Sequence, residues 1–301
     1  MARATRVAAA CLIVAATVVL ASSDGARTAP QHRAFRVRAG PLSLRAVRAG
    51  RGDPVILLHG FGESLIAWRG VMDGLATHAD VVALDLPGFG LSDKPATGYS
   101  NDDLAARVLE AMSALGISRA TLVGHSMGGA VAIAAALAAP DRVRALVLID
   151  PAVSAATWGL KPPDDSAPGT DWLRAAVTRY ETLRPLFAAP HDPAWLAEDS
   201  AALAYSPAED PAYTRSVNAV LREFDFDYLT PGRAARLTLP VLLIWGQFDG
   251  LVPVAVGREL VRGLGNASLS IVPRGLHRPH VERPDTVAAM IESFLGRLPP
   301  P

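Results

Sequence analysis

The sequence feature that most constrains the fold is a Gly-His-Ser-Met-Gly-Gly run at residues 124–129. A short apolar stretch precedes it and an alanine-rich stretch at 130–139 follows it, so the pattern predicts a strand, a sharp turn and a helix. Gly124 and Gly128 let strand and helix cross closely, and a serine on such a turn is held in a strained conformation that exposes its hydroxyl. The free N–H groups at the start of the helix suit a developing negative charge. We therefore predict that Ser126 is a nucleophile.

Short apolar runs recur along the rest of the chain and are separated by helical patterns. We expect strands in two strand-like stretches at 35–39 and 42–47 and in the apolar runs at 55–58, 81–84, 121–123, 145–149, 241–244 and 269–272. We expect helices at residues 65–77, 101–115, 126–139, 254–263 and 283–295. Apolar runs of this length are typical of buried parallel strands, and their alternation with helices implies right-handed crossovers. The predicted fold class is α/β, with a parallel sheet covered by helices.

The alternation breaks at residues 151–236, which carry no clear buried strand. This stretch holds three of the five tryptophans and four of the five tyrosines, and Pro162-Pro163 marks a loop near its start. Ligands of open parallel sheets bind beyond the carboxyl ends of the strands, so an insertion here would cover that site. We predict a helical cap at 151–236 between two parts of a core, 35–150 and 237–298, after a polar linker at 24–34.

The N-terminus has the pattern of a secretory signal. Arg3 and Arg6 precede an apolar run at 7–21, and small or polar residues follow at 22–25. The run is shorter than the roughly 20 residues of a spanning helix. We expect residues 1–23 to be a signal peptide of a periplasmic or secreted protein. The alternative is an N-terminal membrane anchor, and membrane association is expected through this segment only.

Composition excludes several classes of partner and site. The chain has 29 basic and 29 acidic residues and a net charge of zero, without a basic stripe, so we expect no nucleic-acid partner. Cys11, inside the N-terminal apolar run, is the single cysteine. The body of the protein therefore has neither an intramolecular disulfide framework nor a cysteine-based metal site.

A serine hydroxyl needs a base to attack at neutral pH, and the base needs an acid to orient it. The candidate acid is Asp249, which comes just past the predicted strand at 241–244. The candidate base is His277, between the last predicted strand and the last predicted helix. Because loops at strand ends often carry catalytic groups, we predict that Ser126, His277 and Asp249 act together.

Four segments together resemble the α/β-hydrolase superfamily in its capped serine-hydrolase type. They are LLHGFG at 57–62, DLPGFGLSD at 85–93, GHSMGG at 124–129 and HRPHVERP at 277–284. The chain order of the candidate serine, aspartate and histidine is also the order of this superfamily.

The resemblance implies a mostly parallel eight-stranded sheet flanked by helices, with a helical cap inserted after the sixth strand. It implies that the backbone N–H groups of Phe61 and Met127 form an oxyanion hole. Loss of one such donor typically lowers the rate by about a hundredfold to a thousandfold. The resemblance further implies a serine hydrolase that cleaves carboxylic esters through an acyl-enzyme, with no cofactor and no metal. The aromatic cap favours a small to medium apolar substrate.

The chain departs from the family pattern at the residue before the catalytic histidine. The family usually has glycine there, whereas this chain has Leu276 with Gly275 one position earlier. This departure makes His280 the alternative base. Asp150, at the end of an earlier predicted strand, is the alternative acid, because some relatives place the acid there.

Other polar residues are given structural roles. We interpret His59 as a structural residue of its loop and His125 as a packing residue. The acidic run at 223–227 lacks a metal-ligand loop pattern and is interpreted as a solvated loop of the cap.

Several functions share this fold and must be separated by residue. Ser126 argues against relatives with an aspartate nucleophile, the haloalkane dehalogenases and epoxide hydrolases. Relatives that cleave carbon–carbon bonds of dienone acids share the serine triad but usually have an aromatic residue after the histidine, where this chain has Arg278. Ester hydrolysis is therefore the main prediction. Carbon–carbon hydrolysis, other acyl hydrolysis or acyl transfer is the alternative, and a non-catalytic ligand-binding protein is a second alternative.

Overall fold

The sheet is the element that organises the protein. The computed structural model describes residues 31–153 and 207–299. Its strands are β1 (Arg33–Ala39), β2 (Leu42–Gly50), β3 (Asp53–Leu58), β4 (Ala79–Leu84), β5 (Ala120–His125), β6 (Val143–Ile149), β7 (Val241–Gly246) and β8 (Ala267–Val272). They form one eight-stranded sheet in the order β1-β2-β4-β3-β5-β6-β7-β8. β2 pairs antiparallel with β1 and β4, and the other neighbours pair parallel, which confirms the predicted fold class.

Helices connect the strands within the described ranges. They are α1 (Arg69–Leu75), α2 (Asn101–Ala114), α3 (Met127–Ala138), α4 (Pro211–Glu223), α5 (Pro231–Ala234), α6 (Val254–Gly263), α7 (Pro279–Glu282) and α8 (Pro284–Leu295). The Ser100 hydroxyl caps α2 by accepting a hydrogen bond from the N–H of Asp103. Proline stands in the first turn of α4, α5, α7 and α8, where its missing N–H leaves no helical bond unmade.

The sheet separates two hydrophobic layers. Side chains alternate along β3: Ile56 and Leu58 face the layer of α2 and α3, and Val55 and Leu57 face the layer of α1 and α8. Every residue of β4, β5 and β7 is buried. This two-sided burial explains why the central strands are continuous apolar runs. Their carboxyl ends meet at one edge, which is where the candidate catalytic residues lie.

Three boundaries differ from the expected ones. β1 begins at Arg33, inside the predicted linker, because Arg33 and Ala34 still pair with the long strand β2. The helix expected at 65–77 divides into a 3-10 turn at Leu65–Trp68 and α1. The helix expected from Ser126 begins one residue later, since Ser126 itself has a non-helical conformation.

The predicted cap and N-terminal segment are described only in part. Of the cap at 151–236, residues 207–236 contain α4 and α5 and no strand, and residues 154–206 lie outside the described ranges. The predicted signal peptide at 1–23 also lies outside them. Within the described ranges, each helix is too short or too polar to span a membrane.

Candidate active site

Ser126 lies on the sharp turn between β5 and α3. Its backbone angles are φ 47° and ψ −116°, a conformation that a non-glycine residue rarely adopts. The two neighbouring glycines are required by space. A Cβ on Gly124 would lie 2.3 Å from the carbonyl oxygen of Gly128, and a Cβ on Gly128 would lie 2.2 Å from that of Leu58. The turn therefore has the strained, closely packed geometry that the sequence predicts.

A chain of two hydrogen bonds joins the three predicted catalytic side chains. His277 Nε2 lies 3.1 Å from Ser126 Oγ, and His277 Nδ1 lies 2.8 Å from Asp249 Oδ2. The other oxygen of Asp249 accepts hydrogen bonds from the N–H groups of Leu251 (2.7 Å) and Val252 (3.0 Å). These bonds fix the carboxylate, which in turn fixes the ring of His277 with Nε2 facing the serine.

The pKa shifts of the acid and base follow from their contact. Burial alone would raise the pKa of Asp249, but the neighbouring His277 lowers it below its ordinary value. Burial alone would lower the pKa of His277, but the Asp249 carboxylate outweighs this effect and raises it. The pair thus favours a charged Asp249 and stabilises the imidazolium that forms when His277 accepts a proton.

The alternative acid and base occupy different positions. Asp150 Oδ1 accepts a hydrogen bond of 3.0 Å from the N–H of Gly246, and its carboxyl group lies beside Asp249 without bonding His277. Burial, and then the charge of Asp249, raise the pKa of Asp150 well above its ordinary value. His280 is fully buried and contacts His125 and Trp68, not the serine. The loop containing Leu276 nonetheless brings His277 to the serine.

The two predicted oxyanion donors lie on different elements. Met127 is the first residue of α3, and Phe61 lies in the loop after β3. Neither backbone N–H donates a hydrogen bond to a described residue. The loop is held by Glu63, whose N–H donates to the carbonyl of Gly60 (3.2 Å) and whose carboxylate accepts from the N–H of Gly60 (2.8 Å). Two free N–H groups on fixed elements are what an oxyanion hole needs.

His59 has the structural role that the sequence indicates. Its Nδ1–H donates to the carbonyl of Gly60 (2.8 Å), and its Nε2 accepts from the N–H of Leu86 (3.0 Å). The ring is therefore neutral, and burial lowers its pKa. Asp85, also fully buried, accepts hydrogen bonds from the N–H groups of Leu65 and Leu91. These two side chains tie the oxyanion loop to the loop after β4.

A second polar cluster, formed by Glu63, His125 and Arg278, is not predicted by the sequence. Glu63 Oε2 lies 3.1 Å from His125 Nδ1, and Glu63 Oε1 lies 2.5 Å from Arg278 Nε. His125 Nε2 lies 2.8 Å from the carbonyl oxygen of His277. His125 therefore does more than pack. The local signal of this cluster in the sequence is Glu63, an acidic residue in a largely apolar loop, but its partners His125 and Arg278 are distant in the chain.

The described ranges contain two close groups of acidic and histidine side chains, Glu63 with His125 and His280, and Asp150 with Asp249 and His277. Neither is suited to a metal ion. Arg278 already pairs with Glu63, and its positive charge opposes the binding of a second cation there. Both oxygens of Asp249 already accept hydrogen bonds within the triad and its loop.

The described part of the insertion contacts the oxyanion loop. The ring of Phe61 packs edge-to-face against the rings of Phe89 and Phe226, with centroids 6.0 and 6.1 Å apart. Tyr213, on α4, packs against Phe89 and donates a hydrogen bond of 3.2 Å from its hydroxyl to the carbonyl of Gly62. Part of the aromatic excess therefore lies beside a predicted oxyanion donor.

The acidic run at 223–227 is solvated only in part. Asp225 and Asp227 are exposed, as the sequence indicates. The prediction is wrong for Glu223, whose carboxylate accepts hydrogen bonds from the N–H groups of Gly98 (2.9 Å) and Tyr99 (3.0 Å). Glu223 is turned inward because these two N–H groups precede α2 and have no helical partner.

Comparisons with known proteins identify relatives of the chain. Residues 53–207 match the family described as alpha/beta hydrolase fold. The chain is 31% identical over 258 residues to the 2-hydroxy-6-oxononadienedioate/2-hydroxy-6-oxononatrienedioate hydrolase of Paraburkholderia phymatum, a match that covers 81% of this chain and 88% of that protein.

Two solved structures are also similar. One is a serine hydrolase involved in carbazole degradation, with a TM-score of 0.71 and 26% identity over 88% of this chain and 99% of that one. The other is a bacterial membrane phospholipase A, with a TM-score of 0.68 and 27% identity over 90% of this chain and 87% of that one. All three named relatives are hydrolases.

Proposed function

The chain belongs to the α/β-hydrolase family and is a hydrolase like its relatives, and on this premise we propose that it cleaves a bond to a carbonyl carbon through Ser126. The observation that carries the proposal is the chain of hydrogen bonds from Ser126 Oγ through His277 to Asp249. A serine on a strained turn, a base at 3.1 Å and a fixed carboxylate behind the base are the parts that nucleophilic catalysis requires.

Each group has one role in the proposed reaction. Ser126 Oγ attacks the carbonyl carbon while His277 Nε2 takes the hydroxyl proton, and Asp249 stabilises the resulting imidazolium. The carbonyl oxygen becomes an oxyanion and accepts hydrogen bonds from the N–H groups of Phe61 and Met127. His277 then gives its proton to the leaving group, and water, deprotonated by His277, releases the acyl group from the serine.

For the substrate class, we propose a 2-hydroxy-6-oxo dienoic acid, whose carbon–carbon bond beside the ketone is hydrolysed. The curated relative at 31% identity is a hydrolase of such compounds. A carbon leaving group must accept the electron pair of the broken bond, and the conjugated keto acid of this substrate provides that capacity. His277 would protonate the leaving carbon, so that one water is consumed for each bond cleaved.

A second candidate is hydrolysis of a carboxylic ester. Two observations favour it: the similarity to a membrane phospholipase A, and Arg278 at the position where carbon–carbon hydrolases usually have an aromatic residue. Because residue 278 is an arginine, this position cannot supply an aromatic surface to a substrate, and its guanidinium is paired with Glu63. An ester needs no electron-accepting carbon and uses the same triad.

The test compares both substrate classes in one assay. Turnover of a 2-hydroxy-6-oxohepta-2,4-dienoate and of p-nitrophenyl esters from acetate to palmitate is measured for wild type, Ser126→Ala and His277→Ala. Controls are Ser268→Ala and His78→Ala, at exposed positions. Both catalytic variants should lose orders of magnitude in kcat, and both controls should keep the wild-type rate.

The outcomes separate the candidates. Faster turnover of the keto acid supports carbon–carbon hydrolysis, and turnover of esters alone supports the second candidate. Folded wild type that cleaves neither substrate, and whose serine does not react with a fluorophosphonate probe, would contradict the proposal and favour a ligand-binding role.

A further inference from the structure

His125 stands between two hydrogen-bond acceptors. Its Nδ1 lies 3.1 Å from the Glu63 carboxylate, and its Nε2 lies 2.8 Å from the carbonyl oxygen of His277. Neither partner has a proton to donate when Glu63 is charged. A neutral imidazole carries one N–H only and would leave a lone pair directed at one of these oxygens. Both contacts are hydrogen bonds only when both ring nitrogens of His125 are protonated.

Glu63 supplies the negative charge that such an imidazolium needs. Burial alone would raise the pKa of Glu63, but Arg278 and His125 hold it well below its ordinary value. The side chains of Glu63 and His125 are 8% and 2% exposed, so their contact is poorly screened by solvent. One buried carboxylate thus lies between the Arg278 guanidinium on one oxygen and the His125 ring on the other, and the ring of His280 packs against His125 with centroids 4.4 Å apart.

The cluster connects the three loops of the proposed active site. Glu63 holds the oxyanion loop through the N–H of Gly60, and His125 is the residue before the nucleophile. His125 and Arg278 both reach the histidine loop, one through the carbonyl of His277 and the other as its next residue. The fit at Gly60 is tight, because a Cβ there would lie 2.6 Å from His125 Nδ1.

We propose that Glu63 is a positioning residue for His277: it keeps His125 doubly protonated, and the His125 imidazolium holds the backbone of His277 so that its ring stays aligned with Ser126. The inference rests on the proposed function, since it assigns His277 as the base. It gives the polar cluster a role in the reaction without contact with the substrate.

The experiment compares Glu63→Gln with a matched control, Glu110→Gln. Glu110 also pairs with an arginine, Arg107, but lies on α2 with 40% of its side chain exposed. Two quantities are measured: the protonation of His125 by nitrogen-15 NMR of labelled histidine at neutral pH, and the reaction with a fluorophosphonate, resolved into probe affinity and inactivation rate constant. The probe does not depend on knowing the natural substrate.

The expected results are specific. Wild type and Glu110→Gln show a doubly protonated His125, whereas Glu63→Gln shows a singly protonated ring. The inactivation rate constant of Glu63→Gln falls by about tenfold to a hundredfold, as expected for a base displaced by a fraction of an ångström to 1 Å, and probe affinity is unchanged. A purely structural role of Glu63 would lower thermal stability without changing the charge of His125.

Two results would overturn the inference. One is a singly protonated His125 in wild type, which decides the matter even if Glu63→Gln fails to fold. The other is a Glu63→Gln variant that reacts at the wild-type rate. Failure of the proposed function looks different: wild type then does not react with the probe at all, and the His125 spectrum still decides whether the cluster is charged as proposed.

Discussion

Replacing Gly128 by alanine should move the two predicted oxyanion donors, the N–H groups of Phe61 and Met127, further apart. A Cβ at this position would lie 2.2 Å from the carbonyl oxygen of Leu58 and 2.5 Å from that of His59. Both oxygens belong to the backbone and cannot rotate away as a side chain can. Gly128 follows Met127, and His59 lies two residues before Phe61, so the added methyl group pushes apart the elements that carry the two N–H groups.

The magnitude follows from the distances. To reach the 3.4 Å of an ordinary contact from 2.2 Å, helix α3 and the end of β3 must separate by about 1.2 Å. A misplacement of about 1 Å at a reacting centre lowers the rate by roughly a hundredfold. Crowding of a packed interior typically lowers the free energy of unfolding by about 1–3 kcal/mol. We therefore expect a folded but less stable variant with about a hundredfold slower reaction.

The assay measures the fluorophosphonate inactivation rate constant and the thermal midpoint of Gly128→Ala beside Gly232→Ala. Gly232 lies in helix α5, and a Cβ added there would meet no heavy atom of another segment within 4 Å. Alanine there should leave the rate unchanged and raise stability slightly, because it reduces the freedom of the unfolded chain. A Gly128→Ala variant with wild-type rate and stability would refute the close crossing of strand and helix.

Three other expectations concern the triad and the N-terminus. Asp249→Asn should slow the reaction by about a thousandfold or more, because His277 loses the carboxylate that orients it. Asp150→Asn should react at nearly the wild-type rate, because the Asp150 carboxyl group bonds the N–H of Gly246 and not His277. Equal losses in the two variants would contradict this assignment. Because the pKa of His277 is raised, the rate should increase with pH through a midpoint above about 6.5. Over the same range the stabilisation from the His277–Asp249 ion pair, which is complete at lower pH, should be lost. A midpoint that is unchanged in Asp249→Asn would argue against Asp249 as the cause of the raised pKa. We also expect export with cleavage of the signal peptide: protein recovered from the periplasm or the medium should have the intact mass of a chain that starts near Ser22 or Asp24, and a full-length mass would indicate an anchor.

The features that the sequence predicted well depend on local pattern. Apolar runs predicted β3 to β8, most clearly β4, β5 and β7, which are buried on both faces. β1 and β2, which contain arginines, were expected only as strand-like stretches. Ser126 was predictable because a glycine-flanked turn between strand and helix has few other uses. Asp249 and His277 followed from their places after strands β7 and β8, since the carboxyl ends of parallel strands meet at one edge.

The features that the sequence did not predict depend on contacts between distant segments. Glu63 lies 62 positions from His125, and their contact follows from the parallel pairing of β3 with β5, which no local pattern records. The inward direction of Glu223 likewise depends on the free N–H groups before α2. In the sequence, Arg278 stands out only because an aromatic residue is usual at its position. In the structure, its positive charge pairs with the Glu63 carboxylate.

The contact of Tyr213 and Phe226 with the oxyanion loop limits how the protein can be recombined with its relatives. Exchange of an inserted segment is a common design for changing substrate range while keeping the catalytic core. Here a chimaera joined at the ends of 151–236 would also remove the hydrogen bond to Gly62 and the ring packed on Phe61. A junction placed before Pro207 would keep α4 and its contacts with the parent core. The functional boundary between exchangeable and fixed sequence thus lies inside the insertion.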